Sequence, residues 1–279
     1  MNSFFVEDKD VANFSSHVHV DNQEGLLLSY QSDDEVIRKL TPPHFELLDT
    51  TVNAYICQIK NPSFGGPFME SCIWFRVRYG EKTGNYFLCL LLHGPGEECG
   101  KIIGRDCCGL PKKTTEKIEI RRMGSYATAK VVRHGVTLMD VRAELDGAYN
   151  DESAAIRIGD HKAGETFNSI NLFHKVDLNP AKTGVEFQNA RLMYTEYKNT
   201  CQAFEKGKLE ITMNSSPDDP YGELKVVKPL GAAWYKYGDC IRVDAGLLTP
   251  VDTKKVMPYL MTGLYDRSMM GDGGTCLDI

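Results

Sequence analysis

The stretch Gly104-Arg105-Asp106-Cys107-Cys108-Gly109-Leu110-Pro111-Lys112-Lys113 decides how this chain is read. It sets two lysines directly behind a rigid Gly-Leu-Pro turn, in thiol-rich and largely uncharged surroundings. Desolvation disfavours an ammonium, and so does a second ammonium beside it. A lysine held in either environment becomes an amine nucleophile that attacks a ketone to form an imine. A Lys-Lys dipeptide alone is more often a solvated surface pair, so the reading depends on what surrounds it.

The whole ten-residue string resembles the signature of the acetoacetate decarboxylase family, which runs Gly-Arg-Glu, three variable residues, an aromatic or apolar residue, then Pro-Lys-Lys; here Asp106 replaces the glutamate. The resemblance continues upstream through Asn22-Gln23-Glu24, Leu26 to Tyr30, Arg38-Lys39-Leu40 and Pro42. Phe64-Gly65-Gly66-Pro67 then leads to Met69-Glu70-Ser71. Downstream it takes in Lys228-Pro229-Leu230 and the apolar segment ending at Leu247-Leu248, so that most of residues 20–265 is covered.

The chain has 279 residues, 42% of them hydrophobic, enough to bury a core of its own. No linker divides it, and we read 1–279 as a single unit with peripheral tails at 1–20 and 267–279. A net charge of −6 and a pI near 5.7, with basic residues scattered along the chain, leave no footprint for nucleic acid or anionic lipid. A small-molecule carbonyl substrate is the expected partner. The N-terminal residues have no basic n-region, and the longest apolar run, Tyr86 to Leu92, is too short to cross a bilayer. With nine cysteines and no Cys-x-x-Cys pair, a reducing cytoplasm with buried thiols is expected. Cys276 heads a poor prenylation box, and Gly271-Asp272-Gly273-Gly274 lacks the strand and helix of a phosphate loop.

Most of the pattern is strand. In residues 70–79, Ser71, Ile73, Phe75, Val77 and Tyr79 share one face, and Glu70, Cys72, Trp74, Arg76 and Arg78 the other. Further strands are expected at 85–93, 116–122, 125–133, 136–145, 208–213 and 241–248, several joined by Gly-containing turns as antiparallel meanders. A capping box at Ser32-Asp33-Asp34-Glu35 opens a short helix stopped by Pro42-Pro43, and a last helix is expected from Pro250 to about Asp266, capped by Thr249 and bent at Pro258. The fold class is mainly β (α+β), a barrel or packed sheets with a few short helices. The family resemblance implies a closed antiparallel β-barrel core with a flanking sheet, a site in its interior, and a symmetric homo-oligomer.

The resemblance assigns the Schiff-base nucleophile to Lys112, the first lysine of the pair, with Lys113 beside it in the catalytic group. Activation by a neighbouring cation belongs to the family and not to these residues. In extended backbone Lys112 and Lys113 point to opposite faces, which favours burial over ammonium repulsion. Free lysine titrates near ~10.4, so a neutral amine at physiological pH requires about 4 kcal/mol from its environment. Glu70 matches the family's glutamate and is expected to shuttle a proton or position water.

Gln23 stands where the family has an arginine, and Tyr55 where it has a second glutamate. Both are neutral hydrogen-bonding groups in place of charges, suited to a larger and less polar carbonyl compound than acetoacetate. Leu110 and Arg105 complete the expected substrate contacts, with Arg105 and Asp106 also expected to lock the loop through a salt bridge. Glu24 is a second acid near Gln23 and is expected at the surface. His17 and His19 share a strand face without a third ligand, so no metal is expected, and the chemistry calls for no cofactor. The expected activity is a lysine-dependent carbon–carbon lyase acting on a β-keto acid or polyketide-like carbonyl substrate in specialised metabolism. Two alternatives stand beside it: Schiff-base aldol, dehydration or cyclisation chemistry without loss of CO2, and a non-catalytic barrel that binds a hydrophobic ligand.

Overall fold

Runs of β-branched and leucine residues in the first half build strands that are apolar on both sides. In a computed structural model, which describes residues 4–14 and 16–270, the elements run as follows. Helix α1 (Asp8–Asn13) precedes β1 (Val20–Gln31), α2 (Asp34–Leu40), β2 (Glu46–Leu47), β3 (Thr51–Pro62), β4 (Phe68–Tyr79) and β5 (Lys82–His93). Helix α3 (Glu97–Lys101) continues into a π-helical turn (Ile102–Cys108), then β6 (Lys112–Thr114), β7 (Lys117–Met123), β8 (Tyr126–Arg133) and β9 (Val136–Glu144). After α4 (Ala155–Ile158) come the long β10 (Thr166–Ala181), β11 (Gly184–Met213) and β12 (Lys228–Pro250), and then α5 (Thr253–Leu264). Cys276 and the Gly271–Gly274 segment lie outside the described residues.

The strands form one 12-stranded sheet in the order β10-β5-β4-β3-β1-β12-β11-β9-β8-β7, with β2 on β4 and β6 on β5. Strand β10 also pairs with β11, so the succession from β10 through β5, β4, β3, β1, β12 and β11 returns to β10. The sheet is mixed, where an antiparallel one is expected from sequence: β5 runs parallel to both β10 and β6.

Side-chain alternation divides the core into two apolar clusters. Leu26, Leu28, Ile73, Phe75 and Leu91 belong to one; Leu27, Cys72, Trp74, Leu90 and Leu92 belong to the other. The even-numbered face of β4, expected to carry polar groups, is buried at Glu70, Cys72 and Trp74 and faces the second cluster. The N-termini of both expected helices shift. Asp33, not Ser32, caps α2 by accepting from the Glu35 amide at 2.9 Å. Asp252, not Thr249, caps α5, because β12 stays in its ladder with β11 as far as Pro250. Pro258 lies inside α5.

Candidate active site

The path to the site begins at the π-helical turn. Gly109 takes the left-handed conformation (φ +98°) that ends it, donating its N–H to the Arg105 carbonyl at 2.8 Å. A Cβ there would sit 2.6 Å from the His174 carbonyl oxygen, so glycine is required twice over. Leu110 donates its N–H back to the Gly104 carbonyl (2.9 Å), and the Pro111 carbonyl accepts from the Leu90 N–H (2.8 Å). These bonds launch β6 alongside β5 with Lys112 level with Leu90 and Lys113 level with Leu91.

That register separates the two lysines. Lys112 points into the second cluster with Leu90, and Lys113 points into the first side with Leu91, as extended backbone requires. Lys112 is 6% exposed, and its Nζ donates to Glu70 Oε2 at 2.6 Å. The hydroxyl of Tyr55 donates to the other oxygen, Oε1. The face of the Phe68 ring lies 5.8 Å from Nζ. Burial first, and then the Glu70 carboxylate, holds the Tyr55 phenol well above its usual range, so it stays a donor. Burial likewise pushes up the Cys57 and Cys72 thiols on the same wall, with Glu70 the next cause for both. The Lys112–Glu70 pair thus sits among neutral neighbours.

Lys113 is buried in a different network. It donates to Asp219, and its Nζ lies 3.3 Å from Asp266 Oδ1. Arg133 bridges the same two carboxylates at 2.6 and 2.7 Å. Two cations face two anions, and none of these four groups lines the cavity at Lys112. The structure does not bring Lys113 to the cavity where its catalytic place is expected; its ammonium holds β6 from behind.

The cavity has a volume of about 410 Å³. Lys112, Glu70, Gln23, Tyr55 and Leu110 all line it. Gln23 donates to the Val20 carbonyl at 3.0 Å and lies 3.5 Å from the Tyr235 hydroxyl, so it brings no charge to the wall. Arg105 does not line the cavity; it pairs with Asp106 at 2.9 Å and holds the turn. Glu24 is likewise outside, paired with Lys60 at 2.7 Å and Lys236 at 2.9 Å. Cys107 is exposed and Cys108 only partly buried, which corrects the expectation of buried fillers; Cys108 Sγ instead accepts from Arg242 at 3.5 Å.

Sequence reasoning missed Phe68 beside Lys112, and Tyr235 and Arg242 on the cavity wall. Phe68 opens β4 two residues before Glu70 and shares its face, which the strand period could have revealed. Tyr235 and Arg242 come from β12, and no local pattern ties them to residue 112. His17 and His19 do not join a metal-binding group: His19 pairs with Asp21 at 2.8 Å. Among the described residues His134, Asp218 and Asp266 could offer three ligand atoms within 4.8 Å of one another. Asp266 is already committed to Arg133 and Lys113, whose charges oppose a metal ion there. No described helix is long and apolar enough to cross a membrane.

Comparison with known proteins places this geometry among relatives. The chain is 38% identical over 271 residues to a CLA biosynthesis isomerase of Lactiplantibacillus plantarum, covering 96% of both chains. It is 28% identical to an acetoacetate decarboxylase of Acidiphilium cryptum over a shorter stretch, 35% of this chain and 38% of that protein. Among solved structures, the acetoacetate decarboxylase of Legionella pneumophila superposes with a TM-score of 0.70 at 14% identity, covering 90% of this chain and 99% of that one. The enduracididine biosynthesis enzyme MppR complexed with pyruvate gives 0.61 at 14% identity, over 84% and 90%. The profile of the family Acetoacetate decarboxylase (ADC) spans residues 8–248, and with Lys112 and Glu70 in contact within that span, the chain belongs to the acetoacetate decarboxylase family.

Proposed function

We propose that this protein is a Schiff-base isomerase that moves a carbon–carbon double bond relative to a ketone, without releasing CO2. One observation carries the reading: a single buried carboxylate, Glu70, accepts from both the amine of Lys112 (2.6 Å) and the phenol of Tyr55. An acid–base group in contact with the nucleophile suits proton transfer next to an iminium. Gln23 and Tyr55, both on the cavity wall, bring no cation to hold a β-carboxylate beside Lys112. The 38% identity to a CLA biosynthesis isomerase over nearly the full chain supports the same choice. We read the returning succession of strand pairings as a barrel with this chamber inside it.

The steps balance as follows. The ammonium of Lys112 passes a proton to Glu70 along their hydrogen bond. The free amine adds to the ketone carbon, and the carbinolamine loses its hydroxyl as water by taking the proton back from Glu70. The resulting iminium withdraws electrons from the adjacent carbon, whose proton Glu70 removes to give an enamine conjugated with the neighbouring double bond. Glu70 returns the proton at the far end of that system, with Tyr55 fixing the orientation of the carboxylate. Water then hydrolyses the iminium, releasing the conjugated ketone and restoring the ion pair.

The test uses two probes, a β,γ-unsaturated methyl ketone and acetoacetate, each followed for product and for borohydride-trapped adduct by mass spectrometry. The expected results are conversion of the ketone to its conjugated isomer, no CO2 from acetoacetate, and an adduct on Lys112 that Lys112→Ala abolishes. Release of CO2 from acetoacetate without isomerisation of the ketone would restore the lyase reading. Failure to trap any adduct at residue 112 would end both.

A further inference from the structure

Further along β12 the cavity wall holds a guanidinium without a counter-ion among the described residues. Arg242, on β12, is half-buried and lines the cavity. Its Nη2 donates to the Tyr197 hydroxyl at 3.3 Å and to Cys108 Sγ at 3.5 Å, and its backbone N–H to the Val18 carbonyl at 3.0 Å. Burial pushes the Tyr197 phenol up to about 12, so it is a neutral partner. The Nε of Arg242 is shielded from solvent and bonds to nothing in the protein. The other described arginines that are not exposed, Arg76, Arg105, Arg133, Arg157 and Arg191, each have a carboxylate within ion-pair distance. A half-buried guanidinium with an unused donor is costly unless an anion arrives to pair with it.

Its place along β12 sets the geometry of that anion. Tyr235 is level with Glu70 through the pairings Tyr235 to Gly25, Gly25 to Cys57 and Cys57 to Glu70. Tyr237, Cys240 and Arg242 follow Tyr235 along the cavity wall. The contact of Arg242 with Cys108, one helical turn beyond the Gly104 that packs on Lys112, sets the guanidinium on the order of 10–15 Å from the lysine amine. Between them the cavity wall carries the apolar side chains of Ile59, level with Tyr237 through Gln23, and Val20.

We propose that Arg242 is the specificity-determining receptor for a remote carboxylate of the substrate. The substrate class is a keto acid whose carboxylate and ketone are separated by an apolar chain, the acid held at Arg242 while the ketone reaches Lys112. This deepens the function proposed above and rests on the cavity being the substrate site. It gives the position vacated by an arginine at Gln23 a physical counterpart: a cation that stands further along the wall, on β12.

The test is kept independent of Schiff-base chemistry by probes with no ketone, decanoate and methyl decanoate. Trp74 lines the cavity and Trp234 packs in the other cluster, so a Trp234→Phe background leaves Trp74 as the single indole reporter. The parent should bind decanoate more tightly than its ester. Arg242→Gln should weaken decanoate at least tenfold, equivalent to about 1.4 kcal/mol, while methyl decanoate stays within twofold; Arg242→Lys should retain part of the preference for the acid. Lys112→Ala should lose the borohydride adduct and keep the decanoate preference. Equal weakening of both probes in Arg242→Gln, or undiminished decanoate binding, would overturn the assignment and leave Arg242 a strut for Tyr197 and Cys108.

Discussion

Replacing Gly104 with alanine sets a loss of chemistry against a nearly unchanged fold. A Cβ at this position would lie 2.5 Å from Lys112 Cδ, 2.6 Å from Cε and 3.0 Å from Nζ. Carbon atoms in contact rest about 3.5 Å apart or more, so the end of the lysine must move by about 1 Å. The stability cost of that move is small, because the clash is with the mobile end of a straight side chain. Alanine also favours helical backbone over glycine by about 1 kcal/mol, and Gly104 lies within the π-helical turn.

The same movement breaks the 2.6 Å contact with Glu70 and takes the nucleophile out of line with its proton acceptor. A displacement of that size costs roughly 100-fold in rate, which is about 2.7 kcal/mol of barrier. The assay is the rate of borohydride-trapped adduct formation with a simple methyl ketone, read by intact mass, beside a thermal melt. The expected outcome is a trapping rate lower by about two orders of magnitude with a Tm within a few degrees of the parent. A trapping rate within threefold of the parent would refute the reasoning, since Lys112 would then work from somewhere other than the slot beneath Gly104.

Removing the charge behind β6 should act on stability. Lys113→Ala leaves Asp219 and Asp266 with Arg133 alone in a buried network, and unpairing a buried ion costs about 3–5 kcal/mol, readable as a shift of the urea midpoint; a loss below about 1 kcal/mol would show that the network does not anchor the strand. His174 gives a pH dependence: it is 2% exposed, and burial first, with His44 second, pushes its imidazole down to about 3. The unfolded chain takes up this proton near pH ~6.5 and the native chain does not, so stability is full above that pH and falls as the solution becomes acid. Between pH 6.5 and 4.5 the unfolding free energy should drop by about 2.3 kcal/mol from this group, and His174→Phe should lack that part of the slope. An equal slope in parent and variant would place the acid sensitivity elsewhere.

What could be read from sequence follows the range of the interactions. The β4 alternation is a local period and was legible, as was the opposed direction of Lys112 and Lys113. The long β10 and β11 were not, apart from the last residues of β11. Their burial is mixed along the whole length, and β10 carries Asn168, Ser169, Asn171 and Asn179 among its apolar residues, so no clean period of two emerges. Ser32 was favoured as a cap by its spacing to Glu35, but a capping box cannot distinguish two adjacent cap-forming side chains, and Asp33 takes the role. Asp219 lies 106 residues beyond Lys113 and carries no sequence sign of its partner.

The charges of the site explain how one fold can shift its chemistry. A second lysine beside the nucleophile suggests activation through repulsion, yet Lys113 faces away and shares two carboxylates with Arg133. Its charge is met locally, and its influence on Lys112 passes through the position of β6. Lys112 is met in turn by Glu70, so the inner end of the cavity is balanced before any substrate arrives. A carboxylate brought to this end would meet Glu70 at close range and find no free cation, which disfavours a small β-keto acid and favours a neutral ketone. Arg242 is the cation of the cavity wall left without a carboxylate among the described residues, and it stands beyond Cys240 on β12. Under the proposed function, moving one cation along the wall, while keeping the amine and its proton acceptor in contact, would change which molecule is held over an iminium and leave the iminium chemistry intact.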